Sequence, residues 1–94
     1  MSVARITTFT MKSKELADAS VEIYSSTAPD GFPEAEQLLQ IRTDDNTVVM
    51  ISSYENEEAM ERASAYRSQS IESGKENHIS VDKKVGTVEL NHSK

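Results

Sequence analysis

The sequence predicts an α+β fold with the element order β-α-β-β-α-β, and three observations carry that prediction. Thr47 to Ile71 has the pattern of a strand, a sharp turn and an amphipathic helix in direct succession. Ala4 to Thr27 has the same pattern, so the chain reads as one β-α-β half written twice. Between them, Asp44-Asp45-Asn46 supplies the turn residues that join two strands as a hairpin.

The elements follow in order. Val3 to Met11 is rich in β-branched and aromatic residues and carries one charge, Arg5, as expected of a central strand covered on both sides. Ser13 stands at an N-cap position, and a helix is predicted from about Lys14 to Thr27, stopped by Pro29. Its apolar face is Leu16, Ala19, Ser20, Ile23, Tyr24 and Thr27. Ala35 to Thr43 alternates as a strand with a wetter face, suited to a sheet edge. The Asp44-Asp45-Asn46 turn is expected to use left-handed backbone conformations, which Asp and Asn tolerate. It lacks the ligand spacing of a calcium loop.

Thr47 to Tyr54 is the most strand-like run, apolar or small on both faces. Asn56 is placed to cap the next helix, and Glu57 and Glu58 suit its positive end. The inner stripe of that helix is Met60, Ala63, Tyr66, Arg67, Ser70 and Ile71, with Glu58 and Arg62 paired outside and Gly74 as the stop. His78 to Val81 forms a short strand at most. Val85 to Asn91 is expected as the last strand, anchored by Val88 and Leu90, with a bulge at Gly86 and frayed residues from His92 to Lys94.

Helical crossovers must be right-handed, so this order gives a four-stranded antiparallel sheet, strand order 4-1-3-2, with both helices on one face. The opposite face then carries apolar side chains of the two central strands. A homodimer packed sheet to sheet would cover them.

Composition narrows the function. The 94 residues suit a single domain, 1–94. Such a chain buries roughly 60–65% of its unfolded surface. Only 36% of residues are hydrophobic and Trp is absent, so the core is lean or shared with a partner subunit. The net charge is −6, from 16 acidic and 10 basic residues, with no basic face for nucleic acid or an anionic membrane. Without Cys there is no disulfide, thiolate metal site or thiol nucleophile. The two histidines lie far apart, so no metal and no cofactor is expected. MSVARITTFTMK lacks a signal-peptide core and no stretch approaches a membrane span, so a cytoplasmic location is expected.

Two further stretches carry a family resemblance. Pro29-Asp30-Gly31-Phe32 follows the first helix, and Ser53-Tyr54-Glu55-Asn56-Glu57-Glu58-Ala59-Met60 joins the second strand–helix pair. With the size and element order, these resemble the dimeric α/β barrel superfamily, and within it the antibiotic-biosynthesis-monooxygenase-like domains. The resemblance implies a ferredoxin-like fold, a homodimer and cofactor-independent oxygenation of a small aromatic compound of quinol or phenol type. Members commonly carry Trp where this chain has Tyr54, and often a helix His where it has Ala63-Ser64-Ala65-Tyr66, so haem degradation is disfavoured.

The pocket of such a fold lies between the sheet and the helices. Tyr24, Tyr54, Tyr66, Arg67 and His78 are its candidate residues, and catalytic residues are not assigned. Each Tyr has a competing role in the core. Arg67, on an apolar stripe with no acid one turn away, either snorkels to water or meets an anion. His78 has a solvated loop as its alternative. Three functions compete: an oxygenase, which needs a dry pocket and a base; a non-catalytic dimer that binds a small molecule or a protein; and an isomerase or lyase, which needs an acid–base pair.

Overall fold

A computed structural model describes residues 2–92, apart from the side chains of Ser70 and Ser73. Ser93 and Lys94, where fraying was expected, and the Ser70 side chain of the helix stripe thus lie outside the described residues. The elements are β1 (Val3–Met11), α1 (Lys14–Gly31), β2 (Ala35–Asp44), β3 (Thr47–Tyr54), α2 (Glu57–Ser73) and β4 (His78–Thr87). The sheet is antiparallel in the order β2-β3-β1-β4, the expected 4-1-3-2 arrangement. β1 and β3 coincide with the strands expected from their β-branched runs.

The caps are the expected ones. Ser13 Oγ accepts the Leu16 N–H at 3.1 Å, and Asn56 Oδ1 accepts the Ala59 N–H at 2.9 Å. Each satisfies a donor that a helix start leaves open.

Five local expectations are corrected. Pro29 does not stop α1, which runs on to Gly31. Proline removes one N–H donor, a small loss in a last turn. That turn is held by the buried Ala28, whose carbonyl accepts the Phe32 N–H at 2.8 Å. The last strand is a continuous β4 from His78 to Thr87, starting before the expected Val85 and ending before both expected anchors, Val88 and Leu90, the latter 83% exposed. Its polar sequence is that of an edge strand, fixed by backbone pairing with β1. Gly86 pairs regularly with Ala4, and the irregularity lies at Thr10/Met11 instead.

The β2–β3 turn contains no left-handed residue. Side chains close it: Asp44 Oδ1 accepts the Asn46 N–H at 2.9 Å, and Asn46 Nδ2 donates to the Met11 carbonyl at 3.2 Å. Lastly, Arg62 does not pair with Glu58. It forks onto both carboxylate oxygens of Glu34 at 2.7 Å, a bidentate geometry that an i,i+4 neighbour does not match.

The core lies between helices and sheet in two clusters. Val3, Tyr54, Ala28, Phe32, Ala59, Met60 and Ala63 form one; Phe9, Met11, Ala17, Val48 and Met50 form the other. Tyr24 packs against both. On the opposite sheet face, Ile6, Ile51 and Leu39 stand in one cross-strand row, and Thr8, Val49 and Ile41 in the next. Ile6, Leu39 and Ile41 are each more than 40% exposed there.

Candidate functional site

A cavity of about 420 Å³ opens between α1, α2 and the sheet. That is the size of a small-molecule site. Its floor is Phe9, Met11 and Met50. Its α1 wall is Leu16, Ala19, Ser20, Ile23, Tyr24 and Thr27. This is the stripe the sequence marks as apolar, and its role differs from the expected one. The residues of α1 packed into the core are Ala17, Val21 and Ala28, one position round the helix, together with Leu16 and Tyr24 of the expected stripe. Ile23 is 63% exposed, so the stripe mainly borders the cleft rather than filling the core.

The α2 wall is Tyr66, Arg67 and Ile71, with Gly74, Asn77 and His78 beyond them and Phe32 at the C-terminal end of α1. Of the five candidates, Tyr24, Tyr66, Arg67 and His78 thus share one cavity. Tyr54 is not on its wall. It is 1% exposed within the core, where its ring packs among Val3, Phe32 and Met60.

Arg67 is the charged centre of the cavity. It is 3% exposed. One Nη donates to Met50 Sδ at 3.6 Å, the other to the Tyr24 hydroxyl at 3.4 Å. Its guanidinium carbon lies 4.6 Å from the Phe32 ring centroid and 5.6 Å from that of Tyr24. Among the described residues no carboxylate pairs with it, and its Nε has no partner. Aromatic faces and a thioether hold this cation, which leaves its charge available to a ligand.

Two neighbours respond to it. Burial pushes the Tyr24 hydroxyl above its ordinary pKa, while Arg67 pulls the other way by charge and hydrogen bond. Arg5, on the same face of the sheet, is lowered first by burial and next by Arg67. Arg5 donates to the Ser64 hydroxyl of α2. The sequence distinguishes Arg5 only as the one charge on β1; its inward position follows from the register opposite Ser52.

His78 tilts against Phe9, with ring centroids 5.7 Å apart, and its Nε2 is buried without a partner. Among the described residues no three His, Asp or Glu side chains come together as metal ligands. No described helix is long and apolar enough to cross a membrane. The lining residues that sequence reasoning missed are Phe9, Met11, Phe32, Met50 and Asn77. Each lies on a different element from the helix stripes, and only the tertiary register brings them together.

No protein-family model and no curated protein matches the sequence. Solved structures do. A dimeric ferredoxin-like protein from an uncultured marine organism superposes with a TM-score of 0.79 at 8% identity, covering 99% of this chain and 92% of its own. A monooxygenase from the ActVA-Orf6 gene of Streptomyces coelicolor, solved with nanaomycin D, gives 0.74 at 14% identity, with 99% and 92% covered. SnoaB, a cofactor-independent oxygenase from Streptomyces nogalater solved as its N63A mutant, gives 0.71 at 20% identity, with 99% and 98% covered. The fold is the ferredoxin-like one that these solved proteins share. At these identities the likeness concerns the scaffold, and the activity has to be argued from the cavity.

Proposed function

We propose that this chain is a cofactor-independent oxygenase of a small aromatic hydroxy compound, a quinol or phenol, and that it works as a homodimer. The observation that carries this is Arg67, a guanidinium buried in an apolar cavity with no carboxylate beside it among the described residues. Such a cation lowers the pKa of a hydroxyl placed against it. An ionised hydroxyarene is the species that can give electrons to dioxygen. The reaction balances without a further reductant: a hydroxyarene with hydrogen para to its hydroxyl and one dioxygen give a quinone and one water. One oxygen atom forms the new C–O bond, and the other leaves with two hydrogens.

The protein's part is to hold the ring, exclude water and stabilise the anion. Phe9, Met11 and Met50 offer the ring an apolar floor. Tyr24 does not serve as the base, because burial raises its pKa and the hydroxyl keeps its proton at neutral pH. His78, with an unpartnered Nε2, is the candidate to take the proton. The solved oxygenases of this fold support the reading, one of them being described as cofactor-independent and another holding nanaomycin D.

Among the described residues the cavity lining contains no Asp or Glu to act as a base, which also favours a second reading, a non-catalytic protein that binds the same class of compound. Oxygen uptake separates the two. With 1-naphthol in air, the oxygenase reading expects protein-dependent oxygen consumption and a growing 1,4-naphthoquinone absorbance. Binding by calorimetry under argon, with no uptake in air above the uncatalysed rate, leaves the binding protein. Absence of binding would sink both.

A further inference from the structure

Gly31, the last residue of α1, and Tyr66, in the middle of α2, meet across the cleft. A methyl group at position 31 would lie 2.6 Å from Cε1 and Cζ of Tyr66 and 2.8 Å from its hydroxyl, closer than real side chains approach. The backbone does not need glycine there, because φ at Gly31 is not positive. Glycine is also a poor helix residue. What position 31 provides is space, and the Tyr66 ring occupies it. The same ring stands edge-on to Phe32, with centroids 4.9 Å apart at 90°. Tyr66 lines the cavity and is also 38% exposed, so it stands at the rim.

We propose that Gly31 and Tyr66 form a size gate: the Tyr66 ring, seated on Gly31, closes the cleft at the C-terminal end of α1 and limits the length of aromatic ligand admitted. This rests on the reading of the cavity as the binding site for an aromatic hydroxy compound. Tyr66 is a specificity residue and Gly31 positions it. At the other end, toward His78, the wall is set by Phe9 and Asn77 and does not depend on this pair. A methyl group at position 31 drives the ring off its seat and leaves that end open. Removing the ring does the same more completely.

The test uses phenol, 2-naphthol and 2-anthrol, bound under argon so that no turnover intervenes, to the wild type, Gly31→Ala, Tyr66→Ala and the double variant. The readout is the ratio of affinities for 2-anthrol and phenol, which a general loss of stability leaves unmoved. Tyr66→Ala is expected to shift that ratio toward 2-anthrol by about tenfold or more, the scale on which apolar pockets respond to space. Gly31→Ala is expected to shift it in the same direction by less, and the double variant to match Tyr66→Ala. Tyr66 is part-exposed, so its truncation carries the test even if Gly31→Ala folds poorly. An unchanged ratio in Tyr66→Ala, with binding intact, overturns the gate. So does a Gly31→Ala effect that persists in full without the Tyr66 ring. If the wild type binds none of the three compounds, the reading of the cavity itself falls, and the gate with it.

Discussion

At the scale of single residues, Arg67 and Tyr24 act against each other. A buried cation without an acid lowers stability, and it is kept by ring faces and a sulfur atom. Arg67→Met fills the same space without the charge. Its melting temperature is expected to equal or exceed the wild type's, because replacing a buried charge by a packed apolar group is commonly neutral or stabilising. Binding of ionisable phenols should fall by about 10-fold to 100-fold, the worth of a hydrogen bond to a charged group. A Met variant that is markedly less stable, with ligand affinity unaltered, would make Arg67 a structural residue.

Tyr24 gives a pH dependence at the same scale. Its folded pKa is raised, mainly by burial, so the native state holds that proton more tightly than the unfolded chain does. Its contribution is then complete below about pH 10, the unfolded value, and is lost as pH rises through the folded one. Chemical denaturation from pH 8 to 11 should show stability falling above about pH 10. Tyr24→Phe should flatten that fall. An equal alkaline loss in the Phe variant would assign it to other groups.

At the scale of elements, α2 is the more dependent on its cap. Its sequence is polar, with Glu57 and Glu58 in the first turn and no basic residue in the last. Asn56→Ala removes the acceptor of the Ala59 N–H and should cost about 1 kcal/mol in denaturant unfolding. A loss near zero would mean that a neighbouring group replaces the cap. Elements whose own residues determine them were legible in the sequence. β1 and β3 are β-branched runs with little charge on either face, and Asn56 and Ser13 are local caps.

What the sequence did not yield depends on distant partners. β4 is polar, and its pairing with β1, not its composition, extends it from His78 to Thr87. α1 passes Pro29 because Ala28 and Phe32 hold its end in the core. The site divides in the same way. Helix periodicity found Tyr24, Tyr66 and Arg67, but Met50 and the Gly31 seat require knowing which elements face each other. Tyr54 ends a strand whose register turns it into the core, against Val3 of β1, and no local signal separates that from a cavity position.

At the scale of the molecule, the sheet faces are unequal. One is covered by both helices. The other presents Ile6, Ile51 and Leu39 in a row across three strands, with Val49 and Ile41 beside them. Leaving such a surface in water forfeits about 25 cal/mol for each Å² of apolar area that a partner would cover. The rows lie at the sheet's centre, whereas β4 continues them with Lys84 and Asp82, so the apolar patch has a polar border. A twofold partner laid across this face would match apolar rows to apolar rows. A stable pair of this kind buries roughly 1,200–2,000 Å² in total. Light scattering at micromolar concentration should therefore give twice the chain mass, and the melting temperature should rise with protein concentration, as association requires. Ile51 stands mid-row, so Ile51→Lys places two like charges near the twofold axis and should yield a monomer with lower thermal stability. The same substitution leaves the helix-side cavity chemically intact, because Ile51 points to the opposite face from Met50. Wild-type protein that is monomeric at these concentrations, with a melting temperature independent of concentration, would overturn the dimer.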